Sequence, residues 1–183
     1  TRRGYYAIRL GNIVEKKLSE TNSKIIDYSQ SLHRSGFLDI YLLANATFSI
    51  FSETGLNQAS WVFRKPCLFV NWVLLKSVFY WQKGIFIPKK IYSQSEKRLL
   101  GFKEVIDQIS SHGDGRIFEQ NGWIPIENTP EEIASACIEM DKRINGKWVT
   151  NDDDKRLQDQ YWGLYGPDMI RNIEFCISAQ FLR

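Results

Sequence analysis

Apolar residues recur along the chain in short runs and, between them, in stripes at helical spacing, so strand and helix signals alternate. Residues 5–10 predict a short buried strand, closed by Gly11-Asn12, a pair that tolerates the positive φ of a tight turn. After a charged segment, residues 24–28 predict a second strand, β-branched at Ile25 and Ile26. Ser35 is placed to cap a helix over 36–46, whose Phe37, Leu38, Tyr41 and Leu42 form an apolar stripe with Asp39 off it. Residues 47–51 predict a third strand. Ser52-Glu53-Thr54-Gly55 is a polar turn into a helix that ends near Arg64-Lys65-Pro66, and 67–71 predict a fourth, buried strand.

Further along, Ile85-Phe86-Ile87 before Pro88 reads as an edge strand. Ser93 with Glu96 reads as a capping box for a helix to about Ser111, burying Leu99, Phe102, Val105, Ile106 and Ile109. Residues 122–127 predict a final strand. Thr129-Pro130-Glu131-Glu132 then opens a helix carrying Ile133, Cys137, Met140 and Ile144 inward. Two more helices are expected over 151–164 and 167–182, the second on the spacing of Ile170, Ile173 and Ile177. This order is that of parallel βαβ units. The expected fold is α/β, a Rossmann-like parallel sheet with helices on both faces over residues 1–150 and a helical C-terminal extension over 151–183.

Composition narrows the picture only slightly. With 183 residues, 43% of them hydrophobic, the chain is expected to build one sizeable core. Lys and Arg number 24 against 21 Asp and Glu, a balance that gives no reason to expect a nucleic-acid partner. Cys67, Cys137 and Cys176 lie far apart in apolar stretches, which suits reduced thiols in a cytoplasmic core. The most apolar segment, 67–81, is interrupted by Asn71 and Lys76 and falls short of the about 20 residues that span a bilayer. Thr1-Arg2-Arg3 carries no signal-peptide pattern and runs at once into a strand-like segment, so the start is expected to be a cut within a larger domain.

In open parallel sheets ligands bind beyond the carboxyl ends of the strands, which singles out Gly11-Asn12, the Ser52–Gly55 turn and Asn71-Trp72. The Ser52 turn offers either a phosphate seat at a helix N-terminus or a simple cap. Asp39 reads as solvent-facing or as a cap to a nearby turn. Arg9, within an apolar strand, needs an anion, either a protein carboxylate or a ligand phosphate. Asp152-Asp153-Asp154 lies at a helix start, where the dipole favours negative charge, and no paired-Asp metal motif is seen, so no metal is expected. His33 and His112 receive no catalytic role. The aromatic and basic stretch containing Trp72, Phe79, Tyr80, Trp81 and Phe86 beside Lys76, Lys83, Lys89 and Lys90 fits either a membrane surface or packing in a core or against another domain.

The run from Asp39 through Ile40, Tyr41 and Leu43 to Ser52, Glu53, Thr54, Gly55 and Leu56 resembles the donor-site segment of GT-B glycosyltransferases related to the fucosyltransferases. There an Asp opens a short helix, a small-residue and aromatic strand follows, and a Thr/Ser-rich turn leads into the next helix. The whole run from Tyr5 to Asn71, including Ala7-Ile8-Arg9-Leu10-Gly11-Asn12, Ile26-Asp27-Tyr28 and Lys65-Pro66-Cys67-Leu68-Phe69-Val70-Asn71, and the stretch Ile124-Pro125-Ile126-Glu127-Asn128-Thr129-Pro130-Glu131-Glu132-Ile133 are similar to glycosyltransferases of bacterial surface-polysaccharide clusters. The resemblance implies the donor-binding half of a two-domain enzyme that moves a sugar from a nucleotide-sugar, GDP-linked by analogy, to a glycan or lipid-linked acceptor at the cytoplasmic face of the inner membrane. It implies that Asp39 accepts from the base and that Thr54 and Gly55 hold the diphosphate. Arg9, Gly11, Ser52 and Asn71 complete the donor-binding candidates.

Glu53 and Gly55 depart from the family, which tends to have a neutral residue and a Ser there. A Glu53 carboxylate pointing inward would repel a diphosphate. The strand whose H-x-R motif neutralises the leaving group, and the acceptor domain that supplies the general base, are expected before Thr1. The rival expectation is a non-enzymatic α/β module that binds a nucleotide or a protein.

Overall fold

In the computed structural model, which describes residues 1–12, 14, 16–19, 22–75, 83–109, 115–166 and 174–183, the chain divides into two units, 1–46 and 47–183.

In the first unit, β1 (Ala7–Ile8) and β2 (Ile25–Ile26) pair in parallel, Ala7 opposite Ile25 and Ile8 opposite Ile26. Both strands are shorter than the sequence predicts. The expected burial of the first is not met, since Ala7 and Ile8 are exposed, and Ile26 of the second is exposed as well. Polar bonds hold the pair together instead. Ala7 N donates to the Lys24 carbonyl and Arg9 N to that of Ile26, each at 2.8 Å. A 3-10 turn at Tyr28–Gln30 leads to α1 (Gly36–Asn45), which starts where expected, with Ser35 Oγ accepting from Leu38 N at 3.2 Å. Of α1 only Leu43 is buried, while Phe37, Ile40 and Tyr41 face outward.

The second unit is built on a four-stranded, wholly parallel sheet in the order β3 (Ser49–Phe51), β4 (Cys67–Trp72), β5 (Gly84–Pro88) and β9 (Phe175–Ile177). A short helix, α2 (Asn57–Val62), joins β3 to β4. Successive side chains of a strand point to opposite faces, and here the two faces have different chemistry. Leu68, Val70, Ile85, Ile87 and Cys176 form an aliphatic face against Ala136 and Met140 of α5 (Pro130–Ile144). Phe69, Phe86 and Phe175 form an aromatic face on the other side. Phe86 stacks on Phe175 at 5.4 Å and packs against Tyr161 and Trp162 of α6 (Asp152–Gly163). A parallel sheet is stable only when both faces are covered, which is why its strands read as unbroken apolar runs.

Three expectations are corrected here. Ile85, Phe86 and Ile87 belong to an interior strand, flanked by β4 and β9 and almost wholly buried. The predicted C-terminal helix over 167–182 contains a strand, and only α7 (Ala179–Leu182) is helical among its described residues, with 167–173 outside them. Residues 90–99 form a hairpin, not the start of a helix: β6 (Lys90–Ser93) and β7 (Arg98–Leu99) pair antiparallel, with Lys97 at φ +54° in the turn.

Ser93 Oγ does accept from Glu96 N, at 3.3 Å, but the bond closes a turn. The helix α3 (Phe102–Gln108) starts at Gly101, whose N–H donates to Glu104 Oε2 at 2.7 Å. Leu99 is therefore exposed, whereas Val105, Ile106 and Ile109 are buried as expected. Following a short helix, α4 (Arg116–Gln120), the strand β8 (Trp123–Ile126) pairs antiparallel with β6, so the predicted final strand belongs to a three-stranded sheet β7-β6-β8 and not to the parallel one.

Among the described residues, no helix is long and apolar enough to cross a membrane.

Candidate functional site

Because β3, β4, β5 and β9 are parallel, Phe51, Trp72, Pro88 and Ile177 end at one edge of the sheet. The residues just beyond them are the place to look for a ligand. The strand order runs one way across this sheet, so the described strands contain no point at which it reverses and opens a crevice.

Ser52, Glu53, Thr54 and Gly55 leave β3 as a fully exposed turn. The simple cap expected of Thr54 is not formed. The N-cap of α2 is Leu56, no side chain caps the helix, and Thr54 contributes its carbonyl, to Asn57 N at 3.4 Å. Gly55 keeps negative φ, and a Cβ there would meet nothing within 4 Å. Glu53 turns across the edge of the sheet. Its Oε1 accepts from Val73 N at 2.7 Å and from Leu74 N at 3.2 Å, just past the end of β4.

Asn71 is part of a clamp. Its N–H donates to Asn128 Oδ1 and its Oδ1 accepts from Asn128 N, both at 2.6 Å, while Asn128 Nδ2 donates to the Pro88 carbonyl at 2.8 Å. Asn71 adopts φ +55°, and the pairing of β4 with β5 slips between Phe69 and Trp72. The side chain thus ties the irregular end of β4 to the segment before α5. Beside it Lys89 Nζ meets Glu127 at 2.6 Å and Lys90 Nζ meets Glu132 at 2.5 Å. Burial would raise the Glu132 carboxyl, but Lys90 and the Thr129 amide outweigh it and hold the group below its usual range. With Thr129 Oγ1 accepting from Glu132 N, the N-terminus of α5 is satisfied from within. A groove of about 230 Å³ there is lined by Glu131, Glu132, Ser135, Ser178, Gln180 and Phe181, an acidic lining unsuited to a phosphate.

The other three candidates lie in the 1–46 unit. Arg9, left open between a protein carboxylate and a phosphate, is taken by the carboxylate: Nε donates to Asp27 Oδ1 at 2.9 Å, Nη2 to Asp27 Oδ2, and Nη1 to the Lys16 carbonyl at 2.8 Å. The Arg9 guanidinium, and after it the Ser29 hydroxyl, pull the Asp27 carboxyl from 3.8 down to about 2. Its contribution to stability is complete above the unfolded value and is lost as pH falls from 3.8 through about 2. The Asp27 carboxyl resonance is expected to titrate near 2 and to return towards 3.8 in Arg9→Ala. A midpoint near 3.8 in the unchanged protein would show that the pair does not form in solution.

Gly11 sits at φ +151°, and its carbonyl accepts from Arg34 Nη1 at 3.1 Å, so it shapes the turn after β1 as its residue type predicts. Asp39 lies in the first turn of α1, and its Oδ1 is buried with no hydrogen-bond partner among the described residues.

Sequence reasoning missed Asp27, Asn128 and the Val73–Leu74 amides. The first was within reach, since parallel pairing of 7–8 with 25–26 places Asp27 beside Arg9. The clamp carries no local signal, because its partners are 57 residues apart in sequence. His33 is exposed and His112 lies outside the described residues, as do Lys76, Phe79, Tyr80 and Trp81. Trp72 and Phe86 are core residues of the second unit, which favours the packing alternative for those two aromatics. Asp154, expected to serve structure, is buried and paired with Arg183, with Nε at 3.0 Å and Nη2 at 2.5 Å from its Oδ1. Among the described residues, no group of three or more His, Cys, Asp or Glu side chains is arranged to hold a metal ion. Comparison with protein-family models, with curated proteins and with solved structures gives no match to this chain.

Proposed function

We propose that the chain is the donor-binding part of a glycosyltransferase, Rossmann-like in design, which takes a sugar from a nucleotide-sugar and passes it to a glycan or lipid-linked acceptor during surface-polysaccharide synthesis at the cytoplasmic face of the inner membrane. The observation that carries this reading is Asp39. Its Oδ1 is buried with no hydrogen-bond partner among the described residues, and a donor supplied by a ligand is one way to satisfy such a group. The N–H groups of a purine or pyrimidine are donors of the required kind. A parallel sheet with an exposed, polar turn beyond its β3 strand is a second support, as is the likeness of residues 39–56 to a donor-site segment.

A thermal-shift series against GDP, UDP, CMP and ADP and their sugars tests the proposal. One nucleotide is expected to raise the melting temperature, with about 2.7 kcal/mol of stabilisation at a hundredfold excess over Kd, and Asp39→Ala is expected to abolish the selectivity. Equal response to all four bases in both proteins would sink the role of Asp39. A second reading, a non-enzymatic module that binds a nucleotide or a protein, draws on the internal commitment of Arg9 to Asp27 and of Asn71 to Asn128. Sugar transfer by the full-length protein would exclude it.

A further inference from the structure

The two successive amides beyond β4 have a geometry of their own. Val73 N and Leu74 N converge on a single oxygen, Glu53 Oε1. Two residues earlier Asn71, at φ +55°, turns the backbone out of the strand. Leu75 N closes a turn onto the Val73 carbonyl at 2.9 Å, and successive N–H groups in a turn make a seat for an anion. This one lies at the carboxyl edge of a parallel sheet, where ligands of such sheets are held. It already binds an anionic group, since its occupant is a carboxylate. That carboxylate is carried by a turn whose four residues are all exposed.

We propose that the Val73–Leu74 amides are a binding site for a phosphate group and that Glu53 is its internal occupant, displaced when a phosphate or diphosphate arrives. A phosphate oxygen accepts the same two hydrogen bonds and brings more charge to them. Both anions cannot occupy the seat together, because like charges at contact distance repel. Glu53 leaves into solvent from a position already at the surface, without unpacking the core. The repulsion expected between Glu53 and a diphosphate is thereby avoided, since the carboxylate gives up both amides as the phosphate takes them. Any phosphate then binds more weakly by the strength of the contact it replaces, about tenfold to a hundredfold for a hydrogen bond to a charged group.

The inference rests on the donor-site reading only for whose phosphate is bound. Inorganic pyrophosphate, which has neither base nor sugar, probes the seat by itself. It is titrated into the full chain and into Glu53→Ala and Glu53→Gln, followed by the backbone N–H resonances of Val73 and Leu74 and by melting temperature. In Glu53→Ala, pyrophosphate is expected to bind at least about tenfold more tightly than in the unchanged protein, to move both resonances, and to restore the melting temperature lost on substitution. Glu53→Gln, which keeps the shape with a weaker acceptor, is expected to fall between. Unmoved resonances, unchanged affinity or an unrestored melting temperature would each overturn the proposal and leave Glu53 as a structural tie. Should Glu53→Ala fail to fold, absence of any gain in Glu53→Gln decides against it equally. Pyrophosphate binding at these amides without base selectivity through Asp39 would retain the seat and discard the donor reading. Base selectivity without it would do the reverse.

Discussion

Glu139→Ala is expected to cost the second unit about 3–5 kcal/mol, the usual result of removing one member of a buried ion pair. Glu139 lies within α5 with no exposed surface, and every direction around its carboxylate is used. Oε1 accepts from Arg143 Nε at 2.8 Å and lies 2.7 Å from Arg143 Nη2, while Oε2 accepts from Ser178 Oγ at 2.7 Å and from Ala179 N at 3.0 Å. The last two belong to the chain just beyond β9, so one side chain ties α5 to the end of a strand that reaches the sheet late in the sequence. Truncation leaves the Arg143 guanidinium, a hydroxyl and a backbone amide without their acceptor. Glu139→Gln, which still accepts but carries no charge, is expected to lose less. Urea denaturation measures both. A loss below about 1 kcal/mol in Glu139→Ala, the level of an exposed pair, would mean that water takes over the bonds.

The second large effect is expected at Gly84. It opens β5 between Cys67 of β4 and Phe175 of β9. A Cβ added to it would come within 2.1 Å of the Cys67 carbonyl oxygen, a backbone atom that moves only if the two strands part. Gly84→Ala must therefore open the start of the sheet and weaken the bonds there, from Cys67 N to the Lys83 carbonyl at 3.0 Å and from Gly84 N to that of Glu174 at 2.9 Å. The expected loss is about 3 kcal/mol or more, at the upper end for overpacking. Gly55→Ala is the matched control, since nothing lies within 4 Å of its Cβ, and its denaturation midpoint is expected to stay near that of the unchanged protein. Equal midpoints for the two variants would show that the strands separate at Gly84 without loss.

The same contrast between near and distant partners explains what could be read along the chain. The cap at Ser35 and the Thr129-Pro130-Glu132 start both form as their residue types predict. Each of these motifs is completed within four residues, so the local sequence contains all of its atoms. Strands β3 and β4 were legible for a related reason, as β-branched or aromatic runs bounded by turns. Ser93 and Glu96 mark the limit of such reasoning. Their hydrogen bond forms as the spacing predicts, yet it serves a hairpin, because pairing with residues 123–126 outweighs the local helix signal.

By itself, then, the sequence determined the mixed α/β character of this protein, its capped helices α1 and α5, the helix α6, and the polar turn beyond β3. Tertiary structure alone decided that β5 is interior, that residues 175–177 are its parallel neighbour, and that Asn71 and Glu53 are engaged by Asn128 and the Val73–Leu74 amides. The reason is physical: a short, wholly buried strand has no periodicity to distinguish it from a helix, and the acceptor of a charge lies wherever folding brings the chain back.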